Sequence, residues 1–183
     1  MSDDLIIRHS GEPDVPAIAA IYAHHVLYGK ASWEETAPDA AEIARRRQAV
    51  LDLELPHLVA EWQGEIAGFA YAGPYRGRPA YRYTVENSIY VRDGLHGKGI
   101  AGRLMQRLID ECTRAGRRQM IAVIGDSANA ASIRLHEKMG FRVVGTFRDI
   151  GWKFGEWLDS VYMQRPLGPG GEVSPSETDL PKT

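Results

Sequence analysis

The sequence predicts one α/β domain, or an α+β domain with a mixed sheet, because strand-type and helix-type patterns interleave along its 183 residues. Seven short apolar runs suit strands, and four longer runs with apolar residues at helical spacing suit helices. The length is enough for one domain with a sizeable core and is short for two. We therefore expect a mixed sheet of about seven strands, flanked by about four helices.

The predicted elements follow in a regular order along the chain. Strands are expected at 5–9, 57–62, 65–73, 80–91, 119–125, 141–147 and 154–166. Helices are expected at 15–26, 39–53, 100–115 and 129–139. Gln63-Gly64, between the second and third strands, favours a hairpin turn. Residues 166–183 are rich in Pro, Gly and Ser, so we expect a domain over 1–165 followed by a disordered tail.

Composition and charge narrow the functional classes. The formal net charge is -2, so no general basic field favours a nucleic-acid partner. The single cysteine, Cys112, excludes an intramolecular disulfide and a cysteine-based zinc site, and its apolar neighbours favour a core residue over a nucleophile. The acidic N-terminus does not resemble a signal peptide, and no run approaches the ~18 apolar residues of a membrane span. We expect a cytoplasmic enzyme or binding domain without a membrane partner.

The strongest strand pattern, AYRYTVENSIYV at 80–91, contains a glutamate in its middle. Polar and apolar residues alternate along this segment, so its two faces differ. Glu86 is out of place there on strand propensity alone. Without further context, a solvent-facing or arginine-paired Glu86 is the simpler interpretation.

A glycine-rich segment, GLHGKGIAG at 94–102, follows this strand and precedes a helix. A magnesium-nucleotide P-loop is excluded, because Gly99 stands where that motif needs Ser or Thr. The dinucleotide spacing G-x-G-x-x-G is present, but it follows a late, polar-faced strand instead of the first strand of a parallel unit. Two interpretations remain open: a metal-free pyrophosphate site built from backbone N–H groups, and a glycine turn that binds nothing.

A second polar group lies in the last predicted helix. Asn129, Ser132 and His136 stand at i, i+3 and i+7, so they share one helix face. The helix follows a continuously apolar strand, which places its start at the sheet edge where α/β proteins bind ligands. A lone histidine is more often hydrogen-bonded within the protein or exposed to solvent. The alignment of His136 with Asn129 and Ser132 favours a ligand contact to the same degree.

At this point the sequence resembles a family, the GNAT acetyltransferases. Their acetyl-CoA-binding motifs are similar to IYVRDGLHGKGIAGRLM and NAASIRLHEKMGF. The family's loop pattern [QR]-x-x-G-x-[GA] is matched from His96 to Ala101, with His96 in place of Gln or Arg. The similarity is greater still to the branch that acetylates phosphinothricin, methionine sulfone and methionine sulfoximine, and it covers about residues 5–165. The stretches that carry it are 69–91, 122–141 and 151–164.

The resemblance implies a sheet that splays at the cofactor site, with acetyl-CoA as co-substrate and no metal. The strand after Glu86 would offer backbone groups to the cofactor from Ile89, Tyr90 and Val91. The loop would hold the pyrophosphate through His96, Gly97, Lys98, Gly99, Ile100, Ala101 and Gly102. Asn129 would contact the pantetheine arm, on the face it shares with Ser132 and His136.

The resemblance also implies the catalytic residues. Glu86 matches the glutamate of the family motif TVE-x-S-[IV]-Y, so it is expected to act as the general base. A free Glu has a pKa near ~4.3, several units below that of an amine, so a raised pKa or an intervening water is expected. His136 stands where many members carry a tyrosine that protonates the leaving thiolate. It is either a general acid or a contact near the sulfur.

The expected acceptor is the α-amino group of a small amino acid or analogue. Its site is predicted from Trp33, Glu35, Arg76, Gly77, Arg78, Thr84, Val85 and Glu86. Arg76 and Arg78 could hold a carboxylate, sulfone or phosphinate group by forked hydrogen bonds, or could be ordinary surface arginines. Family members form homodimers. The aromatic residues that suit either an interface or the core are Trp152, Phe154, Trp157 and Tyr162.

Two alternative functions remain. One is acetylation of another amine, such as a polyamine, an antibiotic or a protein N-terminus. A polyamine site should be acidic, whereas the loop PYRGRP at 74–79 is basic. The other is a non-catalytic acetyl-CoA-binding module, which the presence of both Glu86 and Asn129 disfavours.

Overall fold

A seven-stranded sheet dominates the computed structural model, which describes residues 5–175. The strands are β1 (Leu5–His9), β2 (His57–Trp62), β3 (Glu65–Pro74), β4 (Thr84–Val91), β5 (Gln119–Gly125), β6 (Arg142–Lys153) and β7 (Glu156–Pro166). Their order is β1-β2-β3-β4-β5-β7-β6, and only the β4–β5 pair is parallel. That pair ends at Glu86 and Ile121, after which the two strands diverge. The predicted mixed sheet that splays in its middle is confirmed.

Four helices cover the two faces of this sheet. They are α1 (Val15–Tyr28), α2 (Ala40–Asp52), α3 (Ile100–Arg114) and α4 (Ala130–Lys138). The buried side chains of α1 share one core cluster with Ile43 of α2, and those of α3 share the other with Val50 of α2. Asp39 caps α2, because its side chain accepts a hydrogen bond from the Glu42 N–H at 2.8 Å. The predicted number and order of helices are confirmed.

The larger core lies between the sheet and α3. Ile100, Leu104 and Leu108 are spaced by four residues, so they form a single stripe along α3, and each is at most 2% exposed. Burying each such side chain contributes about 1.5–3 kcal/mol. This stripe fixes the start of α3, and with it the glycine segment that precedes it, against the sheet.

Three predicted strand boundaries are wrong, because the sixth strand, expected over 141–147, also runs on to Lys153. The strand predicted from residue 80 begins at Thr84, because Pro79–Tyr81 forms a short 3-10 helix in which the Tyr81 N–H donates to the Arg78 carbonyl at 2.9 Å. The strand predicted from residue 154 begins at Glu156, because β6 continues to Lys153. Phe154 and Gly155 form the hairpin turn between them, with φ of 56° and 77°. The turn predicted at 63–64 is confirmed, with φ of 54° and 79°.

The packed part of the chain extends slightly past residue 165. Strand β7 ends at Pro166, and Leu167 is 1% exposed. Its N–H donates to the Arg118 carbonyl at 2.9 Å. Residues 176–183 lie outside the described residues, so the disordered tail stays a prediction there.

Candidate active site

The divergence of β4 and β5 opens a cleft of about 250 Å³. Its walls are the second half of β4, the end of β5, the start of α4 and a loop that precedes α2. The predicted site residues that line it are Trp33, Glu86, Ile89, Tyr90, Asn129, Ser132 and His136. The two polar groups found separately in the sequence therefore meet across one cavity.

Glu86 lies at the last position at which β4 pairs with β5, and it lines the cleft. The side chain is half-buried and makes no hydrogen bond to another described residue. Burial raises the pKa of Glu86, because desolvation disfavours the carboxylate, while the positive charge of Arg76 acts in the opposite direction. Glu86 therefore has the properties of a proton acceptor that is free to face a ligand.

His136 is held by two hydrogen bonds inside the protein. Its Nδ1 lies 2.8 Å from the Ser132 carbonyl oxygen, and its Nε2 lies 3.0 Å from Nδ2 of Asn87. The carbonyl only accepts and the amide nitrogen only donates, so Nδ1 carries the proton and Nε2 accepts. Burial lowers the pKa of this imidazole, which is 2% exposed. The lowered pKa favours the neutral ring, and both ring nitrogens are bonded inside the protein.

The glycine segment before α3 exposes backbone N–H groups. The N–H groups of residues 96–102 donate to no acceptor among residues 5–175. Gly97 and Gly99 have φ of 78° and 79°, and an added Cβ would meet nothing within 4 Å. Glycine is needed there for the backbone conformation and not for packing. Together with the positive end of α3, the segment fits an anionic pyrophosphate.

Lys98 and Val91 lie outside the lining of the cleft, as do the other residues of the segment 96–102. The Nζ atom of the exposed Lys98 lies 6.0 Å from the ring centroid of Trp62. Val91 does not line the cleft, and its carbonyl accepts a hydrogen bond from His25 Nε2 at 2.9 Å. Both are thus peripheral to the cavity.

Asn129 connects the start of α4 to the cleft. Its Oδ1 accepts from the Ser132 N–H at 3.2 Å and caps the helix. Its amide nitrogen makes no hydrogen bond to another described residue, so two donors remain for a ligand.

The wall of the cleft formed by the loop before α2 and by Tyr22 of α1 includes residues that the sequence did not predict. The Tyr22 hydroxyl donates to Glu34 Oε1 at 2.7 Å and lies 3.0 Å from Ser32 Oγ. The Arg46 guanidinium hydrogen-bonds to Glu34 and holds the pKa of that carboxyl below its usual range. Glu35, predicted for this wall, is exposed and does not line the cleft, whereas Glu34 does. No motif marks Tyr22 or Glu34, because their contact depends on how the loop folds over α1.

The remaining predicted substrate residues lie in a different hollow, of about 310 Å³. Those lining it are Arg76, Gly77, Arg78, Thr84 and Val85. Of these residues, Arg76 alone affects a group of the cleft, because its positive charge lowers the pKa of Glu86. Its guanidinium carbon lies 5.1 Å from the ring centroid of Tyr75.

Residues 5–175 contain neither a metal-binding cluster nor a membrane-spanning helix, and their one cysteine is buried. No group of three or more His, Cys, Asp or Glu in this part of the chain is close enough to hold a metal ion. Within the same residues, no helix is long and apolar enough to cross a membrane. Cys112 is fully buried, and burial raises the pKa of its thiol to about 12. The prediction that it is a core residue is confirmed.

Comparison with known proteins places this geometry in a family. Residues 18–141 match the model of the acetyltransferase (GNAT) family. The phosphinothricin N-acetyltransferase of Alcaligenes faecalis is 47% identical over 169 residues, which are 92% of this chain and 86% of that protein. The L-methionine sulfoximine/L-methionine sulfone acetyltransferase of Salmonella typhimurium is 42% identical over 89% of this chain and 95% of its own length. A crystal structure of a phosphinothricin acetyltransferase from Sinorhizobium meliloti in complex with acetyl-CoA superposes with a TM-score of 0.92, at 42% identity, over 95% of this chain and 94% of that one.

Proposed function

This chain belongs to the GNAT family of acetyltransferases and is an acetyl-CoA-dependent N-acetyltransferase, and we propose that its acceptor is the α-amino group of a small amino acid or analogue. The acceptor would be of the phosphinothricin, methionine sulfone or methionine sulfoximine type, as the names of its relatives suggest. The observation that carries this proposal is Glu86, a half-buried carboxylate with a raised pKa at the mouth of the β4–β5 cleft.

Glu86 would act as general base through a water molecule. Acetyl-CoA supplies the acetyl group as a thioester; the amine forms the new N–C bond as the C–S bond breaks. The amine must lose a proton, and a half-buried carboxylate without a hydrogen-bond partner is suited to receive it. The raised pKa reduces the mismatch with the amine.

The backbone would perform the two electrostatic tasks. Beyond Glu86, the β5-facing side of β4 has no strand partner, so backbone groups near Ile89 and Tyr90 are available to polarise the thioester carbonyl. The N–H groups of residues 96–102 would hold the pyrophosphate. Asn129 would offer its amide N–H groups to the pantetheine arm.

His136 would be a contact residue and not the general acid. Protonating the thiolate requires an N–H directed into the cleft, whereas both ring nitrogens are bonded to Ser132 and Asn87. We assign His136 the task of joining α4 to β4 through its hydrogen bond with Asn87.

Arg76 would select acceptors that carry an acidic group. Its positive charge acts on Glu86, so in this proposal it would pair with a carboxylate or phosphinate on the same small molecule. Trp33, which is 38% exposed and lines the cleft, would cover the acceptor from the other side.

A thiol-release assay tests the activity. Acetyl-CoA is incubated with methionine sulfone, methionine sulfoximine, phosphinothricin, spermidine or a short peptide, and free CoA is measured. Release with one or more of the three amino-acid analogues is expected. Release with spermidine alone, or with the peptide alone, would contradict the proposed acceptor class.

We also propose that the enzyme is a homodimer. Strand β6 is an edge strand, and seven large apolar side chains of the β6–β7 hairpin are each 51–59% exposed. They are Val143, Val144, Phe147, Ile150, Trp152, Phe154 and Trp157. Trp152, Phe154 and Trp157, which suit either an interface or the core on sequence alone, do not belong to the core, whereas Tyr162 is half-buried with its ring centroid 5.1 Å from that of Phe147.

Sedimentation measures this association. A dimer is expected for the unmodified chain, and Trp157→Glu should shift it to a monomer. Ile6→Glu is the matched control, because Ile6 is 53% exposed on the opposite edge of the sheet. Equal sedimentation of all three proteins would contradict an interface on this hairpin.

A further inference from the structure

Lys153, at the end of β6, is a buried cation that the mechanism above does not use. It is 2% exposed, and no carboxylate of residues 5–175 lies within ion-pairing distance of its ammonium group. Burying a charge without an ionic partner is unfavourable, so its retention requires a specific set of contacts.

Those contacts are with one loop. The Nζ atom donates to the carbonyl oxygens of Gly29 at 2.9 Å and Ser32 at 2.7 Å. It also lies 4.8 Å from the ring centroid of Phe154. Burial lowers the pKa of this ammonium, and the charges of Glu34 and Glu35 in the same loop oppose that effect. The buried charge is therefore balanced by groups of the loop at 29–35.

Two glycines, Gly125 and Gly151, allow the same loop to pack closely against the sheet. A Cβ at Gly125 would overlap the Lys30 carbonyl oxygen, and a Cβ at Gly151 would overlap the Trp33 ring. Both glycines have ordinary backbone conformations, so close packing is what requires them. Lys30 in turn pairs with Glu156 at 2.9 Å. The loop thus rests on the end of β5 and on the β6–β7 hairpin.

This loop covers the face of the sheet that carries Glu86. Glu86, Ser88 and Tyr90 alternate on one face of β4, and the Tyr90 ring packs against Tyr22, 5.0 Å between centroids. The Tyr22 hydroxyl bonds to Ser32 and Glu34 of the loop. Asn87, on the opposite face, bonds to His136. The loop is therefore a wall on the side where the general base meets the amine.

We propose that Lys153 is a positioning residue for the acceptor amine, because it holds the loop at 29–35 in the conformation that forms the acceptor side of the cleft. This inference rests on the proposed function of the cleft. The hydrogen bonds of Lys153 go to backbone carbonyls, so they fix the path of the loop whatever its side chains are. Trp33 and Glu34 then face the cleft at defined positions.

The test compares three variants. Lys153→Met keeps the apolar stem and removes the charge and the donors. Gly151→Ala displaces the Trp33 ring while leaving Lys153 intact. Arg142→Met is the matched control, because Arg142 is an exposed cation at the other end of the same strand. For each protein, KM and kcat for the amino-acid acceptor, the Kd of acetyl-CoA and amide hydrogen exchange over 29–35 are measured.

Lys153→Met and Gly151→Ala should each raise the acceptor KM by about tenfold with kcat changed less than about threefold. Amide exchange over 29–35 should accelerate by about tenfold in Lys153→Met, and the Kd of acetyl-CoA should stay the same. Arg142→Met should match the unmodified enzyme in all four measurements. Should Lys153→Met not fold, the KM shift in Gly151→Ala carries the test.

Two results would overturn the inference. One is unchanged amide exchange over 29–35 in Lys153→Met. The other is an unchanged acceptor KM in a variant whose loop exchanges faster. A failure of the proposed function is seen separately, as absence of thiol release by the unmodified enzyme with every amino-acid acceptor.

Discussion

The proposed cofactor-binding segment and the proposed acceptor wall are built in different ways. The first is the continuous segment 96–102, whose N–H groups are available because glycines take up the turn before α3. The second is the loop at 29–35, which is held by residues from α1, α2, β5 and β6. The conformation of the glycine segment thus depends on neighbouring residues, whereas the conformation of the loop depends on residues from distant parts of the chain.

This difference has a consequence for substitutions. On the cofactor side, the backbone conformation is critical and the identity of side chains matters little. On the acceptor side, a residue distant in sequence can alter the site without touching a ligand. Substitutions in each region should therefore separate acetyl-CoA affinity from acceptor affinity, and Glu86, which lies between them, should affect the chemical step.

The largest effect is expected for Glu86→Gln. It removes the proton acceptor while keeping the size of the side chain, so kcat should fall by roughly 100- to 1,000-fold. Binding of acetyl-CoA, measured by calorimetry, should be nearly unchanged. Glu65→Gln, a change of the same kind in the neighbouring strand β3, should leave both values unaltered. A parallel loss of acetyl-CoA binding in Glu86→Gln would instead identify Glu86 as structural.

A smaller effect is expected for Gly97→Ala, on the cofactor side alone. Alanine at a φ of 78° is disfavoured by about 1–2 kcal/mol, so the loop should relax and acetyl-CoA affinity should fall about tenfold. Gly64→Ala is the control, since Gly64 has a φ of 79° in the β2–β3 turn. Both variants should lose similar stability to urea. Equal acetyl-CoA affinities would show that the segment does not bind the cofactor.

Arg76→Met should act on the acceptor side and on the general base together. Loss of the positive charge should raise the KM of an acidic amino-acid acceptor about tenfold. Arg76 lowers the pKa of Glu86, so its removal should raise that pKa further. Activity needs the carboxylate, which is lost as the pH falls through its pKa. The acid limb of the kcat/KM profile should therefore move to higher pH in Arg76→Met and stay in place in Arg114→Met, a surface control on α3.

The smallest effect is expected for His136→Gln. If the imidazole only joins α4 to β4, kcat should change by less than about threefold, although the melting temperature should fall because a buried hydrogen-bonded group is altered. Loss of a general acid would lower kcat at least ~100-fold. A decrease of that size, with acetyl-CoA affinity retained, would restore His136 to the proton-donor role.

Features set by neighbouring residues could be predicted from the sequence, whereas features set by contacts between distant residues could not. Helix α3 and the glycine segment were placed correctly, because apolar spacing and glycine conformation are properties of neighbouring residues. The alignment of Asn129, Ser132 and His136 was visible for the same reason, since one helix sets their geometry. The hydrogen bonds that settle the protonation of His136 were not visible, because Asn87 comes from a different element.

Arg78 and Glu35 show what local patterns leave open. Arg76 and Arg78 stand two residues apart in a basic loop and both line the hollow of about 310 Å³, but only the charge of Arg76 acts on Glu86. For Glu34 and Glu35, nothing in the local sequence says which carboxylate turns towards Tyr22.

By itself the sequence determined the mixed sheet, the order of its elements, the glycine segment before α3 and the identity of the general-base candidate. These depend on periodicity, turn chemistry and short motifs, which act over a few residues. Only the tertiary structure decided that Glu34 and not Glu35 lines the cleft, that both ring nitrogens of His136 are bonded inside the protein, and that Lys153 donates to the loop at 29–35. Each of these depends on contacts between residues that are far apart in the chain, and such contacts form only when the sheet and its helices pack together.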